Sequence, residues 1–267
     1  NIRSTVGEWN AQFGSRASNQ LIVGYTTNDE SRGYRGEIFP TVDILRDGIT
    51  YMSFGFEPFT LNNELRYQTF QVQNNFSFST TKHDFTVGAT FEKFNSENVF
   101  FQAAQSVYTY NSVDDFIADA EDFARNPNRT TSPVTLRRFE VAWNNIPGQE
   151  KPIQPLEVFT YGGYLQDVWR PTSRVQVTAG VRFDLPVFSQ TALANPQANA
   201  LVFRDRDGSP AQYRTEQLPE SNILWSPRLG FNWDVRGDRR TVLRGGTGVF
   251  SGRPPFVWIS NQVGQNG

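Results

Sequence analysis

RVQVTAGVRFD, residues 174–184, alternates in character at every step. Val175, Val177, Ala179, Val181 and Phe183 fall on one side of an extended chain, and Arg174, Gln176, Thr178, Gly180, Arg182 and Asp184 on the other. A period of two marks a β-strand with unlike faces, because successive side chains point in opposite directions. Residues 225–235 repeat the pattern, with Trp225, Pro227, Leu229, Phe231, Trp233 and Val235 opposite Ser226, Arg228, Gly230, Asn232 and Asp234. Residues 84–91 set Phe85, Val87, Ala89 and Phe91 against Asp84, Thr86, Gly88 and Thr90. Weaker alternation over 7–15, 19–29, 70–79, 157–169 and 240–251 completes eight predicted strands. Their lengths suit the roughly 9–11 residues with which a tilted strand crosses a bilayer.

The connections carry as much information as the strands. Four are very short, at 16–18, 80–82, 171–173 and 236–238. The three between them are long, at 30–63, 96–155 and 186–223. A compact water-soluble domain rarely holds three such loops. Short turns alternating strictly with long loops are the pattern of an outer-membrane barrel, with periplasmic turns and extracellular loops. Within the first long loop, TVDILRDGITYMSFG is predicted to form a hairpin turned at Asp47-Gly48. Within the second, Ser112 is predicted to cap a short helix on which Val113, Phe116, Ile117, Ala120 and Phe123 make one apolar stripe. The third is expected to be polar and irregular.

Composition narrows the class further. Of 267 residues, 37% are hydrophobic and 14% aromatic, with 23 Phe, 9 Tyr and 6 Trp, so aliphatic residues are scarce and β structure is favoured. A balance of 25 Lys+Arg against 27 Asp+Glu excludes a generally nucleic-acid-binding surface. With no Cys, disulfides, thiolate metal sites and thiol nucleophiles are excluded. The single His83 excludes a zinc site built on several histidines. No apolar run approaches the 18 or so residues of a transmembrane helix, in keeping with a mean hydropathy of −0.51. The chain opens at Asn1 without Met, a basic segment or an apolar run, and stops at NQVGQNG after a strand-like segment. Both ends are expected to be cuts in a longer chain, and any targeting signal is expected outside it.

A soluble β-sandwich also alternates, but its inward face fills a core with large aliphatic side chains. Here that face mixes Gly, Ala, Thr and aromatics, as in Phe159, Tyr161, Gly163, Leu165 and Trp169, which suits lipid. Trp9, Tyr25, Trp169, Trp225 and Trp233 near strand ends suit the aromatic girdles of the two interfaces. The opposite face carries Arg174, Arg182, Arg228, Arg244, Gln166, Asn232 and Asp234, which a wet lumen tolerates. The expected fold is therefore all-β: an antiparallel up-and-down transmembrane barrel in the bacterial outer membrane.

Candidate chemistry is sparse. Asp205-Arg206-Asp207-Gly208 has alternate carboxylates before a glycine, as a calcium loop does, but no closing Glu follows, so a plain polar turn is favoured over a metal site at Asp205 and Asp207. The acids Asp114, Asp115, Asp119, Glu121 and Asp122 suit a solvated helix face placed well for the helix dipole. Gly245, Gly246 and Gly248 lack the Lys-Ser/Thr ending of a phosphate loop. His83, beside a tight turn, reads as an exposed turn residue without a role, and one His there supplies no nucleophile–base arrangement. The chain is expected not to be an enzyme and to need no cofactor.

Four pieces of the sequence look familiar. GGYLQDVWRPTSRVQVTAGVRFDLP (162–186) resembles the strand–turn–strand hairpin of TonB-dependent outer-membrane receptors, through Tyr164, Gln166, Asp167, Trp169, Arg170, Thr172, Arg174, Gly180, Arg182, Phe183 and Asp184. SPRLGFNWDVRGDRRTVLRGGTGVFSGRPP (226–255) resembles the next hairpin of that family. FPTVDILRDGITYMSFGFEPFT (39–60), with KHDFTVGATFEKF (82–94) after it, resembles the large Oar-like branch. The resemblance implies a 22-stranded barrel with a plugged lumen, of which residues 1–267 would be one partial barrel domain without plug or C-terminal strands. Its implied partners are outer-membrane lipid, the plug domain, the TonB system on the periplasmic side and an extracellular ligand such as a siderophore, glycan or peptide. On this basis Tyr51, Phe54, Phe56, Phe100, Phe101, Tyr108 and Tyr110 are the loop aromatics expected to meet ligand, unless they pack the loops together. Arg174, Arg182, Arg228 and Arg244 would steer an anionic substrate or the plug, or pair with Asp across strands in a hydrated lumen. A non-transporting structural or adhesive barrel is the alternative. If it closed with eight strands, the first strand would pair with the last.

Overall fold

The computed structural model describes residues 1–146, 148–190 and 193–263. In chain order the elements are β1 (Ile2–Phe13), β2 (Ala17–Ser31), β3 (Thr41–Arg46), β4 (Ile49–Phe54), β5 (Asn63–Ser79), β6 (His83–Phe100), β7 (Val107–Tyr110), α1 (Val113–Arg125), β8 (Arg138–Glu140), β9 (Gln154–Thr172), β10 (Val175–Gln190), α2 (Pro196–Asn199), β11 (Phe203–Arg204), β12 (Pro210–Ala211), β13 (Leu224–Asp234), β14 (Val242–Gly248) and α3 (Val257–Val263). No helix among the described residues is long and apolar enough to cross a membrane. Contacts divide the chain into two compact units, one of residues 1–29, 66–97 and 154–267, the other of 30–65 and 98–153.

The first unit holds the large sheet, with strands in the order β1-β2-β5-β6-β9-β10-β13-β14. All eight strands expected from alternation are present, and the pairing is antiparallel wherever the register is resolved. Register keeps like faces together. Val177 and Phe183 on β10 stand opposite Trp169 and Gly163 on β9, and opposite Phe231 and Trp225 on β13. Tyr161, Leu165, Val181, Phe183, Trp225, Leu229, Phe231 and Trp233 share this outer face, each 39–58% exposed. An exposed apolar area spanning several strands needs a membrane or a partner to cover it. The other face is mostly polar, with an apolar patch at Leu156, Val158 and Phe188. β1 and β14 stand at the two ends of the sheet and do not pair with each other among the described residues, so the closed eight-stranded alternative is not what forms.

The turn at 80–82 falls where expected, and those at 14–16 and 173–174 lie one or two residues from the expected 16–18 and 171–173. The fourth is wider, spanning 235–241, because the Asp234 carboxylate accepts the backbone N–H groups of Gly237 and Arg239 and organises a longer turn. Arg174 lies in the turn between β9 and β10 rather than in the strand.

The second unit is a four-stranded sheet, β4-β3-β7-β8, with α1 packed on it. Asp47 and Gly48 both adopt positive φ, 54° and 78°, the two-residue turn that a right-twisted hairpin demands and that Asp-Gly permits. Ser112 caps α1 by accepting the Asp115 N–H at 3.1 Å. The core is Val42, Ile44 and Tyr110, packed by Phe54, Tyr108, Val113 and Phe116. β3 and β7 pair in parallel although they come from different long loops. In the third long loop β11 and β12 form a small hairpin; residues 191–192 of that loop and the last four of the terminal NQVGQNG lie outside the described residues.

Candidate functional site

The polar face of the large sheet carries several clusters of hydrogen-bonded side chains. Asn10 and Gln20 both donate to the Glu8 carboxylate, at 2.7 and 2.9 Å. The Asn75 amide donates to Gln20 at 3.0 Å, and the Tyr164 hydroxyl donates to Asn75. Gly88 makes this possible: a Cβ there would collide with the Tyr164 ring. Arg182 forks onto Asp184 with two bonds of 2.6 and 2.7 Å and reaches Thr90 at 3.3 Å. Such a bidentate pair fixes both side chains. Arg228 donates to Gln166 at 2.7 Å, and Arg244 sits opposite Asn232 in the same register. Three of the four arginines expected on this face are therefore on it, two of them held by polar neighbours, and Arg174 is in the turn.

The segment after β14 folds onto this face. Ser251 and Ser226 hydroxyls meet at 2.8 Å. Arg253 pairs with Glu92, and its guanidinium lies over the Phe94 and Phe256 rings at 5.7 and 5.2 Å. Phe256 is buried with Leu156 and Val158, and Phe94, Phe188 and Ile259 pack around them. Between this strap and the strands lies a cavity of about 560 Å³, whose charged lining is Arg182, Arg253, Glu92 and Asp184. Those charges balance and pair internally, and Phe188, Leu224 and Phe256 supply apolar wall. Sequence reasoning did not single out Glu92, Arg253 or Phe256. The one available signal was GRPPF directly after a Gly-rich strand, where Pro ends extended pairing.

The loop aromatics mostly pack with one another. Tyr110 is buried; Phe54 meets Phe116 at 5.2 Å, Phe56 meets Tyr34 at 5.3 Å, Phe100 stacks on Phe59 at 6.3 Å and Tyr108 meets Phe139 at 4.9 Å. Phe101 is half-buried and donates its N–H to the Asn62 carbonyl at 3.2 Å. Tyr51 is 50% exposed, with Arg46 over its ring at 3.6 Å.

In the same unit, Asp119 accepts from Tyr110 at 2.7 Å, from Arg129 at 2.6 Å and from Ser132 at 2.5 Å. Burial works to raise the Asp119 carboxyl, but these three donors and the guanidinium charge outweigh it and hold the group below its ordinary value. Burial, with the carboxylate beside it, pushes the Tyr110 phenol up. A carboxyl depressed on folding stabilises the fold above its unfolded value, about 3.9, and the contribution is lost as pH falls through the folded value. Protection of residues 107–125 against hydrogen exchange, corrected for intrinsic rates, is therefore expected to fall as pH drops below about 4, and Asp119→Asn is expected to lower protection at neutral pH and shrink the acid-dependent part.

The weak metal candidates are engaged in their own turn. Asp207 accepts the Ser209 N–H and hydroxyl at 2.9 and 2.6 Å, Asp205 accepts the Arg206 N–H at 2.6 Å, and the Gly208 N–H closes onto the Asp205 carbonyl at 2.8 Å. Nearby, the Glu216 carboxyl is pulled down to about 2 by its own N–H, Asn199 and Arg214. His83 is not the idle turn residue that its position suggested: its Nδ1 lies 2.7 Å from Asp167 Oδ2, and its ring stacks between Phe85 and Trp169 on the outer face.

An open antiparallel sheet with an apolar outer face, a hydrogen-bonded polar inner face, short turns at one end and long loops at the other has the organisation of a membrane-spanning barrel wall. A comparison with curated proteins finds no match. The outer membrane beta barrel domain family matches residues 1–267, so the chain belongs to that family and is a bacterial outer-membrane β-barrel domain.

Proposed function

We propose that the chain is part of the barrel wall and the extracellular loops of a TonB-dependent transporter, which takes up an extracellular ligand with energy relayed from the inner membrane. The observation that carries this reading is the open sheet: among the described residues β1 and β14 have no strand on their outer edges, each unsatisfied backbone group costs several kcal/mol in hydrocarbon, and further strands would complete the wall. A barrel of more than about eight strands is too wide for its own side chains to fill, so its lumen needs a plug or conducts. The polar network around Tyr164 and Arg182, with the cavity beneath Arg253 and Phe256, suits a face that holds a plug and lets ligand past. The resemblance of the 162–186 and 226–255 hairpins to TonB-dependent receptors, and of 39–60 with 82–94 to their Oar-like branch, favours the plug. In this mechanism the segment does no covalent chemistry: it supplies a rigid wall, polar groups against the plug, and loops that select ligand.

The test is direct binding between the full-length protein, purified from outer membranes, and the soluble periplasmic domain of TonB. Saturable binding by calorimetry is expected. A full-length protein that folds, runs as a barrel and shows no heat of binding contradicts the transporter reading and leaves a barrel without energised transport.

A further inference from the structure

We propose that the short-turn end of the large sheet is a docking rim for anionic phospholipid headgroups of the periplasmic leaflet. The inference rests on membership of the outer-membrane barrel family and not on transport. In the turns and their flanks, residues 12–18, 79–84, 167–175 and 234–241, there are seven Lys or Arg against four Asp, in a chain whose whole balance is 25 against 27. The seven are Arg16, Lys82, Arg170, Arg174, Arg236, Arg239 and Arg240, and all are exposed.

Backbone geometry sets them in a row. The Arg16 carbonyl accepts the Ser79 N–H at 2.8 Å, the Lys82 carbonyl accepts the Arg170 N–H at 2.7 Å, and the Arg174 carbonyl accepts the Asp234 N–H at 2.8 Å. Each turn is thus stapled to the next hairpin through a basic residue. Gly237 brings the last two turns together, since a Cβ there would press on the Arg174 guanidinium. The four aspartates are each engaged locally: Asp84 by Arg170, Asp167 by His83, Asp234 by its turn N–H groups, and Asp238 by the Arg240 N–H at 2.9 Å. Arg16, Lys82, Arg174, Arg236 and Arg239 have no ion-pair partner among the described residues.

Depth agrees with charge. Phe13, Trp169 and Trp233 stand on the outer face beside these turns, 55%, 42% and 41% exposed. Aromatic rings of this kind sit at the headgroup level of a bilayer, which puts the unpaired cations where lipid phosphates lie. Basic groups at an anionic leaflet each add attraction that decays within a Debye length. Zwitterionic phosphatidylethanolamine offers no such net charge, so phosphatidylglycerol and cardiolipin are the lipids selected.

The full-length protein is equilibrated in detergent micelles carrying equal phosphatidylethanolamine and phosphatidylglycerol, and retained lipids are counted by native mass spectrometry. Wild type is expected to retain phosphatidylglycerol preferentially. The variant with Arg16, Lys82, Arg174, Arg236 and Arg239 all changed to Gln is expected to lose that preference at least about tenfold. Neutralising Arg137 and Arg138, which belong to the second long loop, is expected to leave it unchanged. A variant limited to Lys82→Gln, Arg236→Gln and Arg239→Gln, expected to show a partial loss, keeps the test decisive if the fivefold variant fails to assemble. Equal retention of the two lipids by wild type, undiminished preference in the variants, or full displacement by millimolar inorganic phosphate would each overturn the proposal.

Discussion

Val181→Arg is expected to destabilise the barrel by roughly 2–4 kcal/mol, the cost of a guanidinium on a lipid-facing strand position near the bilayer midplane. Val181 sits in the middle of β10, opposite Leu165 and Pro227, and is 40% exposed. In water an Arg at such a place would be harmless, since exposed substitutions away from special features stay within about 0.5 kcal/mol. The comparison is Asn10→Arg, which puts the same charge on the inner face beside Glu8 and is expected to stay within about 0.5 kcal/mol. Urea midpoints of the full-length protein in lipid vesicles measure both. Equal effects at the two positions would mean that the apolar face does not meet hydrocarbon.

The second large effect belongs to the loop unit. Ile44 is 1% exposed and packs with Val42, Tyr110 and Phe116. Truncation to Ala leaves a cavity that rigid neighbours on β3, β7 and α1 fill only in part, so Ile44→Ala is expected to cost about 2–5 kcal/mol. Because this core shares no residue with the Leu156, Val158 and Phe256 cluster, the loss is expected to be local. Hydrogen exchange should rise across 41–54 and 107–125 while β10 and β13 keep their protection. If all the strands lost protection together, the two units would be one cooperative body.

Period-two alternation made the eight long strands legible because each strand has one face in an apolar and one in a polar environment, and every residue of 175–184 obeys that rule. Asp47-Gly48 and Ser112 were legible because turn and cap chemistry is local. What escaped has physical reasons. Strand β6 continues to Phe100, beyond the end of its alternation at Phe91, because Phe94 on the polar face is covered by Phe256. The covering residue is more than 150 positions away, and nothing near Phe94 announces it. The parallel β3–β7 pair joins two different loops, and a four-residue strand carries too little pattern to be read. His83 was misjudged for the same reason: its partner Asp167 lies 84 residues on, brought beside it by the pairing of hairpins. The loop aromatics were recognisable as a group, but only the folded unit separates Tyr51 at the surface from Tyr110 in the core.

The central claim is that one face of this sheet meets lipid and the other meets water. The chain has no Cys, so single cysteines can be placed at successive positions from Val175 to Val187 in the full-length protein and labelled with nitroxide in lipid vesicles. Collision rates with oxygen, which concentrates in hydrocarbon, and with a water-soluble nickel chelate then report the surroundings of each position. The expected result is strict alternation with opposite phase for the two probes: oxygen high at 177, 179, 181, 183 and 185, nickel high at 176, 178, 180, 182 and 184. Uniform accessibility to nickel along both faces would contradict the account and return the chain to water.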